Sequence, residues 1–138
     1  MKSFEDFRLR KQLNKVIDKL GFTNPTPIQS KAFNVVLSGK DMIGIAQTGT
    51  GKTNAYLIPI LEELKYSTDV HPRVLILVPT RELVLQVVEN VKQLSEFMNV
   101  RVFGVFGGTS INTQTEMVSG GSDIIVATPG RLYDMALS

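Results

Sequence analysis

The sequence contains no cysteine, which excludes a disulfide framework and any thiolate-bound metal. A cysteine-free chain also suits a reducing cytosol. No apolar run is long enough to cross a bilayer, and the amino terminus, Met1-Lys2-Ser3-Phe4-Glu5-Asp6, lacks the apolar core of a signal peptide. The expected location is therefore the cytoplasm. There is no low-complexity tract, internal repeat or long block of one charge. The single histidine, His71, lies in a polar loop and takes no role. A net charge of +2 and a pI near 9.0 permit contact with phosphate polymers but do not demand it. What remains is the composition of a soluble globular chain, 43% hydrophobic and 20% charged over 138 residues, enough for one compact domain with its own core.

Turn residues divide the chain into alternating element types. Leu9, Leu13, Val16, Ile17 and Leu20 recur at helical spacing, and Gly21 follows as a C-cap. After the turn Asn24-Pro25-Thr26-Pro27, a second helical stripe runs through Ile28, Ala32, Phe33, Val36 and Leu37. Met42–Ala46 predicts a short strand. Lys52–Leu64 predicts a helix that Pro59 kinks or shortens. Val74–Val78 is a continuous apolar run, as in a strand buried on both faces. Leu83, Val87, Val91, Leu94 and Met98 form one face of a long helix. A strand over Arg101–Phe106, a weak helix near Asn112–Val118, a strand over Ile124–Ala127 and a helix over Pro129–Leu137 complete the series. This strand–helix–strand order predicts an α/β fold, a parallel sheet with helices on both faces. Ligands of such sheets bind beyond the carboxyl ends of the strands. The turns after Ala46, Val78, Phe106 and Ala127 are thus the places to look for chemistry.

The first of these turns reads Ala46-Gln47-Thr48-Gly49-Thr50-Gly51-Lys52-Thr53. An apolar strand precedes it and a helix follows, the context a P-loop needs. Glycines let the backbone fold tightly with its N–H groups turned inward. The helix N-terminus behind them completes an anion cradle. Lys52 can reach the β- and γ-phosphates of a nucleoside triphosphate, and the Thr53 hydroxyl can ligate magnesium. The usual first glycine of the pattern is Ala46 here.

With the other turns taken in, essentially the whole chain resembles the first RecA-like domain of a DEAD-box ATP-dependent RNA helicase. Gly21-Phe22-Thr23-Asn24-Pro25-Thr26-Pro27-Ile28-Gln29 is similar to that family's adenine-reading motif. The resemblance implies that Phe22, Pro25, Thr26 and Gln29 meet the base. The Gln29 carboxamide can donate and accept at once, which suits the adenine edge. Phe4, seventeen positions before Gly21, matches the aromatic that the family stacks on the base. Taken singly, Gln29 reads as a helix-surface residue and Phe4 as a small core anchor; it is together with Pro25, Thr26 and the glycine-rich loop that they read as an adenine site. Three further turns match sites at which the family holds the backbone of one RNA strand. They are Pro79-Thr80-Arg81-Glu82-Leu83, Gly107-Gly108 and Thr128-Pro129-Gly130-Arg131. Thr80 and Thr128 stand at helix starts, where backbone N–H groups point outward. Arg81 and Arg131 can offer forked donors to phosphate, and the glycines allow close approach. Each turn is also readable as a plain cap or glycine turn, with Arg81 bracing against Glu82 or another acid.

Hydrolysis further needs an acid to organise magnesium and water. No apolar run in these 138 residues ends in Asp-Glu, and Asp41 and Asp123 precede strands, at the wrong end. The resemblance implies that residues 1–138 are the amino-terminal part of the helicase ATP-binding domain. The acidic motif and the second, C-terminal helicase domain would then lie elsewhere in the parent. The parent is expected to unwind short RNA duplexes, while these residues alone contact the backbone of single-stranded RNA, bind ATP weakly if at all and hydrolyse nothing. Two other readings share the motifs: a DNA helicase or translocase, and a nucleotide- or RNA-binding module without hydrolysis.

Overall fold

The structure, a computed structural model, describes residues 3–44, 52–108 and 110–137. The chain sorts into two compact units. One comprises Met1–Lys65 with Gln93–Met98, the other Tyr66–Lys92 with Asn99–Ser138. No helix among the described residues is long and apolar enough to span a membrane.

The first unit is helical. A 3-10 turn over Phe4–Phe7 is closed by Ser3 and Asp6, each accepting from the other's end of the turn. Helix α1 (Lys11–Lys19) buries Leu13, Val16 and Ile17, three of the expected stripe. Helix α2 (Pro27–Leu37) begins with Pro27 at its first position and buries Ala32 and Phe33. Phe7 stacks on Phe33 with ring centres 4.2 Å apart. Helix α3 (Lys52–Glu63) packs against α2. It runs through Pro59 without ending. The missing N–H removes one ladder bond, but Leu57, Ile58 and Leu61 are almost fully buried, and tertiary packing of this kind outweighs one lost bond. Arg10 ties the far end of α3 to the start of α1. Its N–H donates to Glu62, and its guanidinium donates to the carbonyls of Leu61 and Leu64 at 3.2 and 2.7 Å. These are the orphan carbonyls of a helix end.

Residues Met42–Gly44 depart from expectation. They take no strand pairing, and Ile43 is 91% exposed. A strand persists only where a neighbour supplies hydrogen bonds, and the described sheet pairs β1, β2 and β3 alone.

The second unit holds that sheet. Strands β1 (Val74–Leu77), β2 (Val102–Val105) and β3 (Ile124–Ala127) are parallel, in the order β1-β3-β2. Between them run α4 (Arg81–Leu94) and α5 (Ile111–Ser119), and α6 (Pro129–Leu137) follows β3. Alternation along the strands sends successive residues to opposite faces. Val105, Ile125 and Ala127 pack with Val118, Leu132 and Met135 of α5 and α6. Gly104 points the other way, toward Val84 and Val88 of α4. Helices thus cover both faces. The central strand β3 is buried throughout, whereas β1 is not: Ile76 is buried but Leu75 and Leu77 are each 51% exposed. A continuous apolar run therefore does not mean two covered faces here, because β1 is an edge strand and α5 and α6 lie over β2 and β3. The buried stripe of α4 is likewise Val84, Val87, Val91 and Leu94, with Leu83 turned outward.

Gly104 is required by the approach of α4. A Cβ there would lie 2.8 Å from Val84 Cγ1 and 3.2 Å from Val88 Cγ2, and Val84 is fully enclosed. We expect Gly104→Ala to cost about 1–3 kcal/mol from overpacking, read as a lower urea midpoint with an unchanged m-value.

The amino ends of the strands meet at Asp123, whose side chain is 3% exposed. It accepts from Arg101 N and Nη2, each at 2.9 Å, from Arg101 Nε at 3.2 Å and from Arg73 Nη2 at 3.0 Å. Arg101 reaches on to the Asp69 carbonyl at 2.6 Å. Burial alone would raise the Asp123 carboxyl. The arginine donors outweigh it and hold the group at about 2.

Candidate functional site

In the first unit the predicted base-reading residues surround the start of α2. Thr26 is its N-cap: the Thr26 hydroxyl accepts from Gln29 N at 3.4 Å, and the Gln29 carboxamide oxygen accepts from Thr26 N at 3.0 Å. This reciprocal pair satisfies two orphan donors of the helix. Gln29 is 6% exposed, so its amide plane is set by the cap rather than by solvent. The Thr-x-x-Gln spacing signals this box in the sequence, and the burial of Gln29 corrects its reading as a helix-surface residue. Pro25 sits half-buried beside it. Phe4 is buried, edge-on to Phe7 at 5.5 Å, and its N–H donates to the Thr23 carbonyl at 3.3 Å. Phe22 lies 6.5 Å from Phe4 and is the more open of the two rings, 39% exposed.

Lys52 opens α3 and is exposed, while Thr53 behind it is half-buried. Ala46, Gln47, Thr48, Gly49, Thr50 and Gly51 lie outside the described residues. Lys52 stands at the rim of an apolar cavity of about 330 Å³ between Ile28, Ala32 and Val36 of α2 and Ala55 and Tyr56 of α3, with Met42 and Gly44 closing it. Neither Gln29 nor Thr53 lines it. Its walls among the described residues are apolar apart from Lys52. Burial raises the Tyr56 hydroxyl above its ordinary value, and a hydrogen bond with Thr53 partly opposes that rise. Among the described residues no cluster of three His, Asp or Glu side chains could hold a metal ion. One threonine hydroxyl suits magnesium nonetheless, because that ion keeps phosphate oxygens and water for most of its shell.

In the second unit the strand register sets Leu77, Val105 and Ala127 side by side. The three predicted turns therefore leave the sheet together at the carboxyl ends of its strands. Pro79, Thr80, Arg81 and Glu82 are exposed, and Thr80 Oγ1 accepts from Leu83 N at 3.2 Å, capping α4. The Arg81 guanidinium lies 5.0 Å from the Phe106 ring centre, within cation–π range. Gly107 and Gly108 are exposed, and Gly108 takes φ +85°, a conformation that favours glycine. Thr128 N donates to the Val105 carbonyl at 3.1 Å, and Pro129 and Gly130 are exposed at the start of α6. Arg131 is half-buried and donates to Gln114 Oε1 at 3.0 Å. Gln114, buried on α5, has no motif to announce it in the sequence.

The family model described as DEAD/DEAH box helicase matches residues 26–138. The chain is 47% identical over 133 residues to the ATP-dependent RNA helicase DRS1 of Candida albicans, covering 96% of this chain and 22% of that protein. It is 46% identical over 134 residues to the probable ATP-dependent RNA helicase DDX27 of Homo sapiens, covering 96% of this chain and 18% of that one. Among solved structures, a hypothetical ATP-dependent RNA helicase from Sulfolobus tokodaii superposes with a TM-score of 0.82 at 38% identity, over 94% of this chain and 37% of that one. The chain thus spans about a fifth of the length of these curated relatives, and its fold is that of a RecA-like helicase domain.

Proposed function

The chain belongs to the DEAD/DEAH box helicase family, and from that premise we propose that it supplies the ATP-binding and RNA-backbone-binding part of an ATP-dependent RNA helicase of the cytoplasm. Lys52 would neutralise the β- and γ-phosphates, with backbone N–H groups of Ala46–Gly51 around them. Thr53 would offer its hydroxyl to magnesium, which when bound disperses phosphate charge. Gln29, held by the Thr26 cap, would read adenine, and Phe22, the more open ring, would meet the base, with Phe4 buried behind it. Arg81, Gly107, Gly108 and Arg131 would grip successive phosphates of a single RNA strand. Such contacts position RNA and carry little sequence information. The observation that carries this reading is the shared carboxyl end of the sheet, where three turns bearing arginine and glycine emerge at one level.

No apolar run of the 138 residues ends in Asp-Glu. We therefore propose that hydrolysis and duplex unwinding belong to the longer protein, with the acidic motif and a second helicase domain acting together with this stretch. Full-length protein should hydrolyse ATP faster with RNA present, and the purified 138-residue chain should show no turnover. RNA-stimulated turnover by the short chain would overturn this division of labour. A DNA oligomer of the same sequence should stimulate less, since only RNA offers the 2′-hydroxyl. Equal stimulation would favour a DNA translocase.

Arg131→Ala should weaken binding of a uridine decamer by about tenfold and lower the slope of log K against log salt by about 0.7. Fluorescence anisotropy across a potassium chloride series reads both quantities.

A further inference from the structure

Gln114 is 7% exposed in the body of α5. A carboxamide buried there costs free energy unless both its ends are bonded, and an apolar side chain would fill the same volume without that cost. Both ends are bonded. Gln114 Nε2 donates to the Phe106 carbonyl at 3.1 Å, and Gln114 Oε1 accepts from Arg131 Nη1 at 3.0 Å. Phe106 is the residue immediately before Gly107-Gly108, and its ring carries the Arg81 guanidinium at 5.0 Å. A Cβ on Gly108 would sit 3.6 Å from Arg81 Nη1. One buried side chain therefore joins the glycine turn to the Arg131 turn, and the residue it holds joins both to Arg81.

We propose that Gln114 is a positioning residue for RNA binding, setting the plane of the Arg131 guanidinium and the height of the Gly107-Gly108 turn so that the turns present one phosphate-binding surface. This rests on reading those turns as RNA contacts. The chemistry selects a carboxamide: glutamate can accept from Arg131 but cannot donate to a carbonyl, and methionine does neither. Fixing the guanidinium before RNA arrives lowers the ordering cost of binding.

The test uses the full-length protein, a fluorescein-labelled uridine decamer and a potassium chloride series. The variants are Gln114→Met, Gln114→Glu, Arg131→Ala and the double Gln114→Met/Arg131→Ala. Gln114→Met should weaken RNA binding by about five- to tenfold, and the double variant should fall short of the product of the two single losses, because the share that acts through Arg131 is counted in both. Gln114→Glu keeps the volume and helix propensity and neutralises Arg131, so it should lower the salt slope by about 0.7. It decides the matter alone if Gln114→Met does not fold. Multiplying effects in the double variant, or an unchanged slope in Gln114→Glu, would overturn the proposal and leave Gln114 a core residue. A weakened Arg131→Ala beside an unaffected Gln114→Met would overturn it while sparing the RNA reading. An unaffected Arg131→Ala would remove both.

Discussion

Lys52→Ala should weaken ATP binding by about 100-fold, on the order of 3 kcal/mol, since the charged donor proposed for the polyphosphate would be lost. The fold should survive. Lys52 is the first residue of α3 and is exposed, so nothing in the helical core depends on it. Its melting temperature should match that of the wild type, and isothermal titration with ATP should show the loss. Lys52→Arg is the informative control. It keeps the charge but replaces a compact ammonium with a planar fork, and it should recover only part of the affinity. Full recovery would mean that Lys52 acts through long-range charge and not through a fitted contact.

Asp123→Ala should destabilise the second unit by about 3 kcal/mol, because a buried carboxylate is removed from two arginines that keep their charge. Arg73 and Arg101 are each about one-third exposed, so water recovers some of the loss and the cost stays below that of a fully buried pair. Acid titration separates this role from simple packing. The carboxyl sits at about 2 in the folded chain against an ordinary 3.8. A depressed carboxyl stabilises the fold above 3.8, and that contribution fades as pH falls from 3.8 through about 2. It amounts to about 2 kcal/mol at neutral pH. Asp123→Asn should therefore be less stable than wild type at pH 7, and the gap in urea midpoint should close on acidification. A gap independent of pH would assign Asp123 a packing role only.

Legibility of the sequence followed the range of the interaction. Pro129–Leu137 is observed as expected, since proline at a first turn is a local signal. The same is true of the three turns, whose arginine and glycine residues are contiguous. Val74–Val78 misleads because an apolar run records what a strand tolerates and not what covers it. Met42–Gly44 misleads because strand pairing requires a partner that composition does not specify. Gln114 and Asp123 are invisible for a different reason. Each acts through bonds to residues 8 to 50 positions away, and no spacing rule connects them. Asp123 is set aside in the sequence as lying at the wrong end of its strand for catalysis. It does lie at that end, and its work there is structural.

The most direct measurement is a crystal structure of the protein soaked with magnesium and ADP. The diphosphate is expected against the main-chain amides that precede α3, within reach of Lys52 and Thr53, with the Gln29 carboxamide on the adenine edge. A nucleotide bound in the apolar cavity between α2 and α3, or with its base away from Gln29, would contradict the account.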